Sequence, residues 1–376
     1  MEVICSRKVL HKGLQSVGRA VSGRSTLPIL SNVLLSASEK GLGLLGTDLE
    51  VWMESVLPVE VKEKGAVTVP ARLLSEVVSA LPEATVQLRA DDRGAVSLLC
   101  GTSNYEIVGL PAEEFPALPE VGKDSSFEIK QELLGDLIRK TVFAASTDET
   151  RAILTGTLLL WEGKRIRMVA TDSYRLSTKA AELEDTTEKD LNVIIPARAL
   201  HELSRFLDRG KEEQKVEVRI GPSQILFGMS GGEEDPGEFR LVSRLVEGQF
   251  PKFDKFLSHE YERRLSVHRE DFLSAIKRCL IIARAEASRL LLEPSGDKMK
   301  VSAESADYGK AEEELPVSLE GEGIQIAFNG EYFRDALEAM SAEMVWLELG
   351  SPLSHGLLKP NDDPEHICIF MPMRIF

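Results

Sequence analysis

Three segments of this chain resemble one another in the same order, and a repeat of this length excludes reading its 376 residues as one continuous fold. Val67-Thr68-Val69-Pro70-Ala71-Arg72-Leu73-Leu74 returns 126 residues later as Val193-Ile194-Ile195-Pro196-Ala197-Arg198-Ala199-Leu200. Ile326-Ala327-Phe328-Asn329-Gly330-Glu331-Tyr332-Phe333 is a looser third copy, a further 133 residues on. Upstream of each lies a β-patterned run that ends on an acidic residue, at Asp48, Asp172 and Glu304, with spacings of 124 and 132. Each copy opens with one apolar helical stripe: Val9, Leu10, Leu14, Val17, Val21; then Leu133, Leu134, Leu137, Ile138, Val142; then Phe272, Leu273, Ile276, Leu280, Ala283. Helices are expected over 6–22, 71–81, 130–145, 197–211, 268–284 and 330–341.

Proline sets the boundaries. Phe115-Pro116-Ala117-Leu118-Pro119 and Phe250-Pro251-Lys252-Phe253 each break a strand and lead the chain across. Three domains result, over 1–123, 124–252 and 253–376. Within each the order reads strand, helix, several strands, helix, several strands. That pattern is α+β, with helices on one face of antiparallel sheets. The two Thr-Asp settings, at Asp48 and Asp172, read as turn or capping carboxylates.

A net charge of −16 argues against a polyanionic partner until it is divided by element. The six helices carry Lys/Arg minus Asp/Glu balances of +4, 0, +1, +2, +2 and −2, which leaves −23 on the rest of the chain. If the helices share one side, that side is basic and the remainder repels polyanions. Helices also carry Lys and Arg simply as soluble, good helix formers.

The chain ends on Met371-Pro372-Met373-Arg374-Ile375-Phe376, apolar where a terminus is ordinarily polar and frayed. Such a tail either tucks into a core or stays available to another molecule, and flexible methionines suit adaptable binding surfaces. The four cysteines, Cys5, Cys100, Cys279 and Cys368, lie far apart with no CxxC pair, so a reducing cytoplasm is expected and neither a disulfide framework nor a zinc ribbon is suggested. No signal-like segment or membrane-length apolar run is visible in the sequence.

Several motifs fail on context. Gly41-Leu42-Gly43-Leu44-Leu45-Gly46 matches GxGxxG, but Thr47-Asp48-Leu49-Glu50-Val51-Trp52 continues it as strand or turn where a dinucleotide site needs a helix. Gly228-Met229-Ser230-Gly231-Gly232 matches GxSxG, but a nucleophile elbow also requires a helix, and Glu233-Glu234-Asp235-Pro236-Gly237 reads as a turn. There is no phosphate-cradling GxxxxGK[ST], no HExxH and no clustered Cys/His spacing. No enzyme, cofactor or metal is expected.

The whole chain resembles the bacterial sliding clamp family, the β subunit of the replicative DNA polymerase III holoenzyme. The segments that carry the resemblance are Thr26-Leu27-Pro28-Ile29-Leu30-Ser31-Asn32, Gly46-Thr47-Asp48-Leu49-Glu50, Val69-Pro70-Ala71-Arg72, Ala170-Thr171-Asp172-Ser173-Tyr174-Arg175-Leu176, Gly248-Gln249-Phe250-Pro251 and Met371-Pro372-Met373-Arg374. The resemblance implies three tandem clamp domains and two chains joined head to tail in a ring. Antiparallel sheets would lie outside, with two helices per domain facing the hole. It implies that duplex DNA is encircled without sequence preference, and that polymerase and clamp-loader subunits dock by short peptides in a groove between the second and third domains.

For that groove the resemblance implies Leu154, Thr171, Tyr174, Arg175 and Leu176 on one wall, Pro251 and Phe256 along the edge, and Asn329, Tyr332, Met371, Pro372 and Met373 opposite. Apolar pockets of this kind take Leu and Phe anchors, with Arg175, Asn329 and Arg374 as donors that fix the peptide's direction. Phe256 and Lys255 depart from the family's common aliphatic residue and arginine, and Asp148 stands where some members carry a neutral DNA-contacting residue. Arg24, Arg72, Arg151 and Arg198 are the implied DNA contacts, and the ring joint would pair Tyr105 and Ile107 with Ile281 and Ile282 of a second chain. The alternating Tyr105-Glu106-Ile107 is itself an edge-strand pattern. Two competing expectations are a monomeric peptide-binding repeat scaffold with no DNA role and, behind it, a hydrolase using Ser230.

Overall fold

Among the described residues, seven helices and twenty-six strands alternate in the order the repeat dictates. The computed structural model describes residues 1–21, 27–91, 93–122, 125–184, 186, 190–207, 214–232, 235–257 and 261–375. Arg24, Thr26, Glu233-Glu234, Phe376 and the expected helical residues 22 and 208–211 lie outside them. The helices are α1 (Arg7–Val17), α2 (Ala71–Ala80), α3 (Gln131–Arg139), α4 (Ala197–Leu207), the single turn α5 (Asp254–Leu257), α6 (Arg269–Ala283) and α7 (Gly330–Ala339).

Local chemistry sets their ends. Ser6 caps α1, its hydroxyl accepting the Val9 N–H at 3.3 Å, and the helix buries Leu10, Leu14 and Val17 while Val9 turns outward. It stops at Val17, where the Gly18 N–H closes on the Leu14 carbonyl. α3 ends at Arg139, short of the expected 145. The Thr141 hydroxyl bends back to the Leu137 carbonyl at 2.6 Å and is succeeded by a 3₁₀ turn, Val142–Ala144. Asn329 caps α7, its side-chain oxygen accepting the Glu331 N–H at 2.9 Å.

The chain packs as two units, each with two sheets. The first comprises Met1–Glu132 and Arg205–Leu245. Its five-stranded sheet runs Glu60–Glu63, Glu2–Ser6, Thr85–Ala90, Ala95–Cys100, Ser103–Val108. Its eight-stranded sheet runs Ser126–Lys130, Lys215–Ile220, Gln224–Gly232, Asp235–Arg244, Val51–Leu57, Gly41–Thr47, Asn32–Ser38, Gly65–Pro70. α1 packs on α2 and on the strands Gly41–Thr47 and Val51–Leu57. Both motif look-alikes lie in this sheet: the GxGxxG residues in a strand that turns into the next strand, and Ser230 in Gln224–Gly232, which also precedes a strand.

The second unit comprises Leu133–Ser204 and Val246–Phe376. Its nine-stranded sheet runs Leu191–Pro196, Gly156–Glu162, Arg165–Thr171, Arg175–Glu182, His366–Phe370, Gly356–Pro360, Met344–Leu349, Arg263–His268, Ser318–Glu320. Four strands from before residue 253 meet five from after it at a single pairing, Arg175–Glu182 with His366–Phe370. A four-stranded sheet, Gly309–Pro316, Lys298–Ser305, Arg289–Ser295, Ile326–Asn329, carries α6 on its face. The core between them stacks Phe333 on Phe370 at 4.3 Å between ring centroids, with Phe328 and Phe272 alongside. The four cysteines are buried free thiols, and no helix among the described residues is long and apolar enough to cross a membrane.

Candidate functional site

The site is built on a five-residue turn. The Thr171 hydroxyl donates to the Arg175 carbonyl at 2.6 Å and accepts the Ser173 N–H at 3.1 Å. Asp172 Oδ1 accepts the N–H groups of Tyr174 and Arg175 at 2.8 and 2.9 Å. Ser173 is thereby held at φ 82°, a left-handed conformation that non-glycine residues seldom adopt. Asp172 is thus the turn carboxylate its Thr-Asp setting implied. Its second oxygen takes Arg175 Nε at 3.1 Å, while Arg175 Nη1 donates to Asp335 at 2.7 Å. The guanidinium lies 4.6 Å from the centroid of the Tyr332 ring, a cation–π stack. Burial, with Asp172 nearby, pushes the Tyr332 phenol above its ordinary range.

Beside this turn opens a cleft of about 200 Å3 lined by Thr171, Ser173, Tyr174, Arg175, Leu176, Pro251, Lys252, Phe253, Phe256, Ile369 and Met371. Beneath it Leu158, Val169, Leu176, Ile194, Phe250, Phe253, Leu357 and Ile369 form one apolar cluster. The floor is therefore apolar and closely packed, as an anchor pocket requires. Thr171, Tyr174, Arg175, Leu176, Pro251, Phe256 and Met371 were named from sequence and meet here.

The other groove residues stand elsewhere. Leu154 is buried in the 3₁₀ segment Glu149–Thr155, its carbonyl accepting the Ser146 N–H. Asn329 uses its side-chain oxygen to cap α7, and Tyr332 lies behind Arg175. The tail is stitched down by its backbone, Met371 N–H to the Tyr174 carbonyl at 2.9 Å and Met373 N–H to the Ala327 carbonyl at 2.7 Å. Residues 371–373 are half-buried and Arg374 is exposed. Arg175 was expected to offer peptide donors. Both of its described ion pairs are internal, to Asp172 and Asp335, so its main work is to hold the turn. Sequence reasoning missed Ser173, Lys252, Phe253 and Ile369. The echo of Phe-Pro-Lys-Phe held the signal for Phe253, and strand alternation held that for Ile369.

The implied DNA cations differ among themselves. Arg72 on α2 is 93% exposed and bonded to Glu76 at 2.8 Å. Arg198 opens α4, and Arg24 lies outside the described residues. Arg151 braces the turn: Nη1 donates to the Asp172 carbonyl at 2.9 Å, Nη2 to Ser146 at 3.1 Å and Nε to Asp148 at 3.1 Å. Many helix cations are answered by carboxylates, among them Arg7 by Glu83, Arg139 by Asp136, Lys277 by Glu338 and Arg278 by Glu313. Asp136 and Glu338 already enter the helix count, so of these pairs only Arg7–Glu83 and Arg278–Glu313 draw on carboxylates outside the helices and offset part of the basic excess.

Ser103–Val108 is the outermost strand of its sheet, as its alternation suggested. Ile107, opposite Val96, is buried in its own sheet at 4% exposure and so, contrary to expectation, is not available to a partner chain, whereas Tyr105, opposite Leu98, is 41% exposed and Val108 on the other face is 79% exposed. On α6, Ile281 is 66% exposed and Ile282 packs partly against the core. The strand Gly309–Pro316 is the free edge of the four-stranded sheet below that helix.

Three family models match the chain in order: the DNA polymerase III beta subunit N-terminal domain over residues 1–119, central domain over 128–252 and C-terminal domain over 255–374. The chain belongs to the DNA polymerase III β subunit family. It is 31% identical over 389 residues to the beta sliding clamp of Halalkalibacterium halodurans, and 31% over 386 to that of Staphylococcus epidermidis, with both chains fully covered in each case. Among solved structures it superposes on the DNA polymerase sliding clamp of Bacillus subtilis with a TM-score of 0.92 at 30% identity. The DNA polymerase III subunit beta of Pseudomonas aeruginosa gives 0.91 at 31%, and each comparison covers the whole of both chains. The three clamp domains of this family account for the threefold repeat. The pairing of Arg175–Glu182 with His366–Phe370 therefore joins strands matched by the central-domain and C-terminal-domain models.

Proposed function

We propose that this chain is a DNA sliding clamp: two copies close head to tail around duplex DNA, and the cleft at Tyr174 and Phe256 tethers polymerase and clamp-loader subunits by short peptides carrying Leu and Phe anchors. The observation that carries the reading is the apolar cleft, built on a braced turn and walled by a backbone-stitched terminal strand, in a chain of the clamp family. The proposed domain limits are 1–123, 124–252 and 253–376.

Ring closure is supported by two free edges. Ser103–Val108, with Tyr105 at its margin, would meet Gly309–Pro316 and the exposed Ile281 of a second chain. Two copies of an edge-to-edge joint of this kind close a ring only if the rotation allows it. Arg24, Arg72 and Arg198 are the proposed backbone contacts, with Arg151 acting chiefly through the turn it braces. Carboxylate pairing of many helix cations keeps the attraction to phosphates weak, which suits a molecule that must move along DNA while topology holds it there. Its work is tethering, with no bond made or broken, in the reducing cytoplasm that its four free thiols suit.

The test is topological. Protein loaded on nicked circular DNA should remain through gel filtration in high salt and be lost within minutes of cutting the circle. Equal retention on circular and linear DNA, or a native mass of one 41.5 kDa chain at micromolar concentration, would leave the monomeric scaffold as the better account.

A further inference from the structure

The strands Arg175–Glu182 and His366–Phe370 have two faces, and only one belongs to the cleft. Their register pairs Leu176 with Ile369, Ser177 with Cys368, Thr178 with Ile367 and Lys179 with His366. Leu176 and Ile369 line the cleft, so alternation puts Ser177, Lys179, His366 and Cys368 on the reverse face. There they meet a nearly dry charge network centred on Asp363. Lys179 Nζ donates to both Asp363 oxygens at 2.6 and 2.7 Å. Lys140, just past the end of α3, reaches Asp363 at 2.8 Å and Asp136 at 2.9 Å. The Ser177 hydroxyl donates to the Lys140 carbonyl, and His366 Nε2 lies 3.1 Å from that same oxygen. Lys140 and Lys179 keep only 9% and 10% of their side-chain surface in solvent. Burial alone would raise the Asp363 carboxyl and lower the Lys140 ammonium. The hydrogen bonds between them, joined by those from Lys179 and Asp136, carry both the opposite way, so the charged forms are held.

Stability alone does not explain such a network, since well-packed apolar residues commonly replace a buried ion cluster without loss. The molecule itself contains that replacement. In the first unit, Val51–Leu57 pairs with Asp235–Arg244 in the corresponding register, Trp52 with Val242, Met53 with Leu241 and Ser55 with Phe239. Trp52 and Val242 take the places of Leu176 and Ile369, and Met53 and Leu241, both fully buried, take those of Ser177 and Cys368. There the charged pair is Glu54 with Arg240, 3.3 Å apart on the face of Trp52 and Val242, while the face of Met53 and Leu241 is dry and carries no ion network among the described residues. In the second unit a one-residue slip would turn Ile367 and Ile369 onto two ammonium groups and Cys368 into the cleft.

We infer that the Asp363 network pins the register and seating of the terminal strand against the central domain, making Asp363 a positioning residue for peptide docking. It acts through Ile369 on the strand it anchors and through Met371 just past that strand's end, both lining the cleft. The inference rests on the docking role proposed above.

The test uses the full chain, a fluorescein-labelled peptide ending in Leu-Phe, and iodoacetamide labelling of Cys368 followed by mass spectrometry. Cys368 is fully buried, so its labelling rate reports opening of the strand pair. Asp363→Asn should weaken the peptide at least tenfold and speed labelling of Cys368 at least tenfold, and Asp363→Glu should recover part of both. Met299→Ala, a core truncation in the four-stranded sheet, is the control for a general loss of urea stability and should leave both readouts within twofold. Should Asp363→Asn not fold, Lys179→Met leaves Asp363 bonded to Lys140 and should move both readouts the same way by a smaller factor. Affinity within twofold of wild type, continued protection of Cys368, or an equal effect from Met299→Ala would each overturn the inference. If the wild-type chain does not bind the peptide, the docking role falls instead, and labelling of Cys368 alone decides whether Asp363 pins the strands.

Discussion

The turns Thr47–Val51 and Thr171–Arg175 are the same piece of chemistry used twice, with different consequences. In both, the threonine hydroxyl donates to the carbonyl four residues on, at 2.9 and 2.6 Å, and the aspartate accepts two successive N–H groups. In both, the third residue is forced to positive φ, 75° at Leu49 and 82° at Ser173. What differs is the side chains they present. The first turn offers Leu49 to an apolar cluster of Leu45, Trp52, Phe115, Val121, Leu226 and Val242, with Ile29 and Leu118 packed against it. The second offers Ser173, an exposed Tyr174 and an Arg175 held by two carboxylates, and a cleft remains beside it. A repeated backbone thus supplies a structural joint once and a docking surface once, by changing three side chains on a fixed turn.

The comparison breaks most severely if the cleft loses its wall. Truncation after Phe370 removes Met371 and the two backbone bonds that hold the tail, and should weaken peptide binding at least about 100-fold, on the order of 3 kcal/mol. Neither proposed joint edge, Ser103–Val108 nor Gly309–Pro316, contains these residues, so the native mass at micromolar concentration should stay that of the wild type. Fluorescence polarisation and native mass spectrometry check the two halves, and binding that survived truncation would misplace the groove. Substituting the turn aspartates sharpens the same contrast. Asp172→Ala strips a nearly buried guanidinium of one partner as well as two backbone donors of theirs, and should cost about 3 kcal/mol and most of the peptide affinity. Asp48→Ala removes the equivalent backbone bonds and should cost about 1–2 kcal/mol without altering peptide binding, as urea unfolding would show.

Acid should also separate the two units. His366 is buried among Lys140, Lys179, Asp136 and Asp363, and burial, reinforced by Lys140, pushes its imidazole from 6.5 down to about 4. Between those values the unfolded chain binds the extra proton and the folded one does not, so stability is fully present above pH 6.5 and is lost as pH falls towards 4. The loss amounts to about 3 kcal/mol across that window. His366→Gln should flatten the dependence. The carboxyl of Asp363, held below its ordinary range, adds its own loss only below about pH 4. Hydrogen exchange at pH 7 and pH 4.5 should place the added opening in strands 175–182 and 366–370, with strands 51–57 and 235–244 unchanged.

The sequence revealed repetition more readily than it revealed what the repeats had been turned into. Stripes such as Phe272, Leu273, Ile276 and Leu280 placed helices correctly because apolar period follows burial directly. Helix ends were overrun at Val17 and Arg139 because a glycine cap and a threonine back-bond stop a helix without disturbing its apolar stripe. In the cleft, Tyr174, Leu176, Phe256 and Met371 were legible from their chemistry and from the family resemblance. Lys252 and Ser173 were not, since a lysine in a linker and a serine in a turn have no pattern of their own. Least legible were long-range partners. Nothing in the local sequence ties Arg175 to Asp335, or Lys140 and Lys179 to Asp363, because those distances exist only once the strands have paired.

The smallest effect expected is at Arg72, and its smallness bears on the whole reading. The side chain is 93% exposed, its one described bond is to Glu76 a turn away, and that bond raises the guanidinium above its ordinary range while making it a weaker lure for phosphate. Arg72→Ala should leave the urea midpoint unchanged, in line with exposed pairs generally. Release from circular DNA should remain slow, while any direct DNA affinity at low salt falls by a small factor and the slope of log affinity against log salt drops by about one. Arg151→Ala, which removes a brace of the Tyr174 turn, should instead be read out in peptide affinity. A clamp that let go of circular DNA on losing Arg72 alone would be holding by charge, and enclosure would no longer explain its grip.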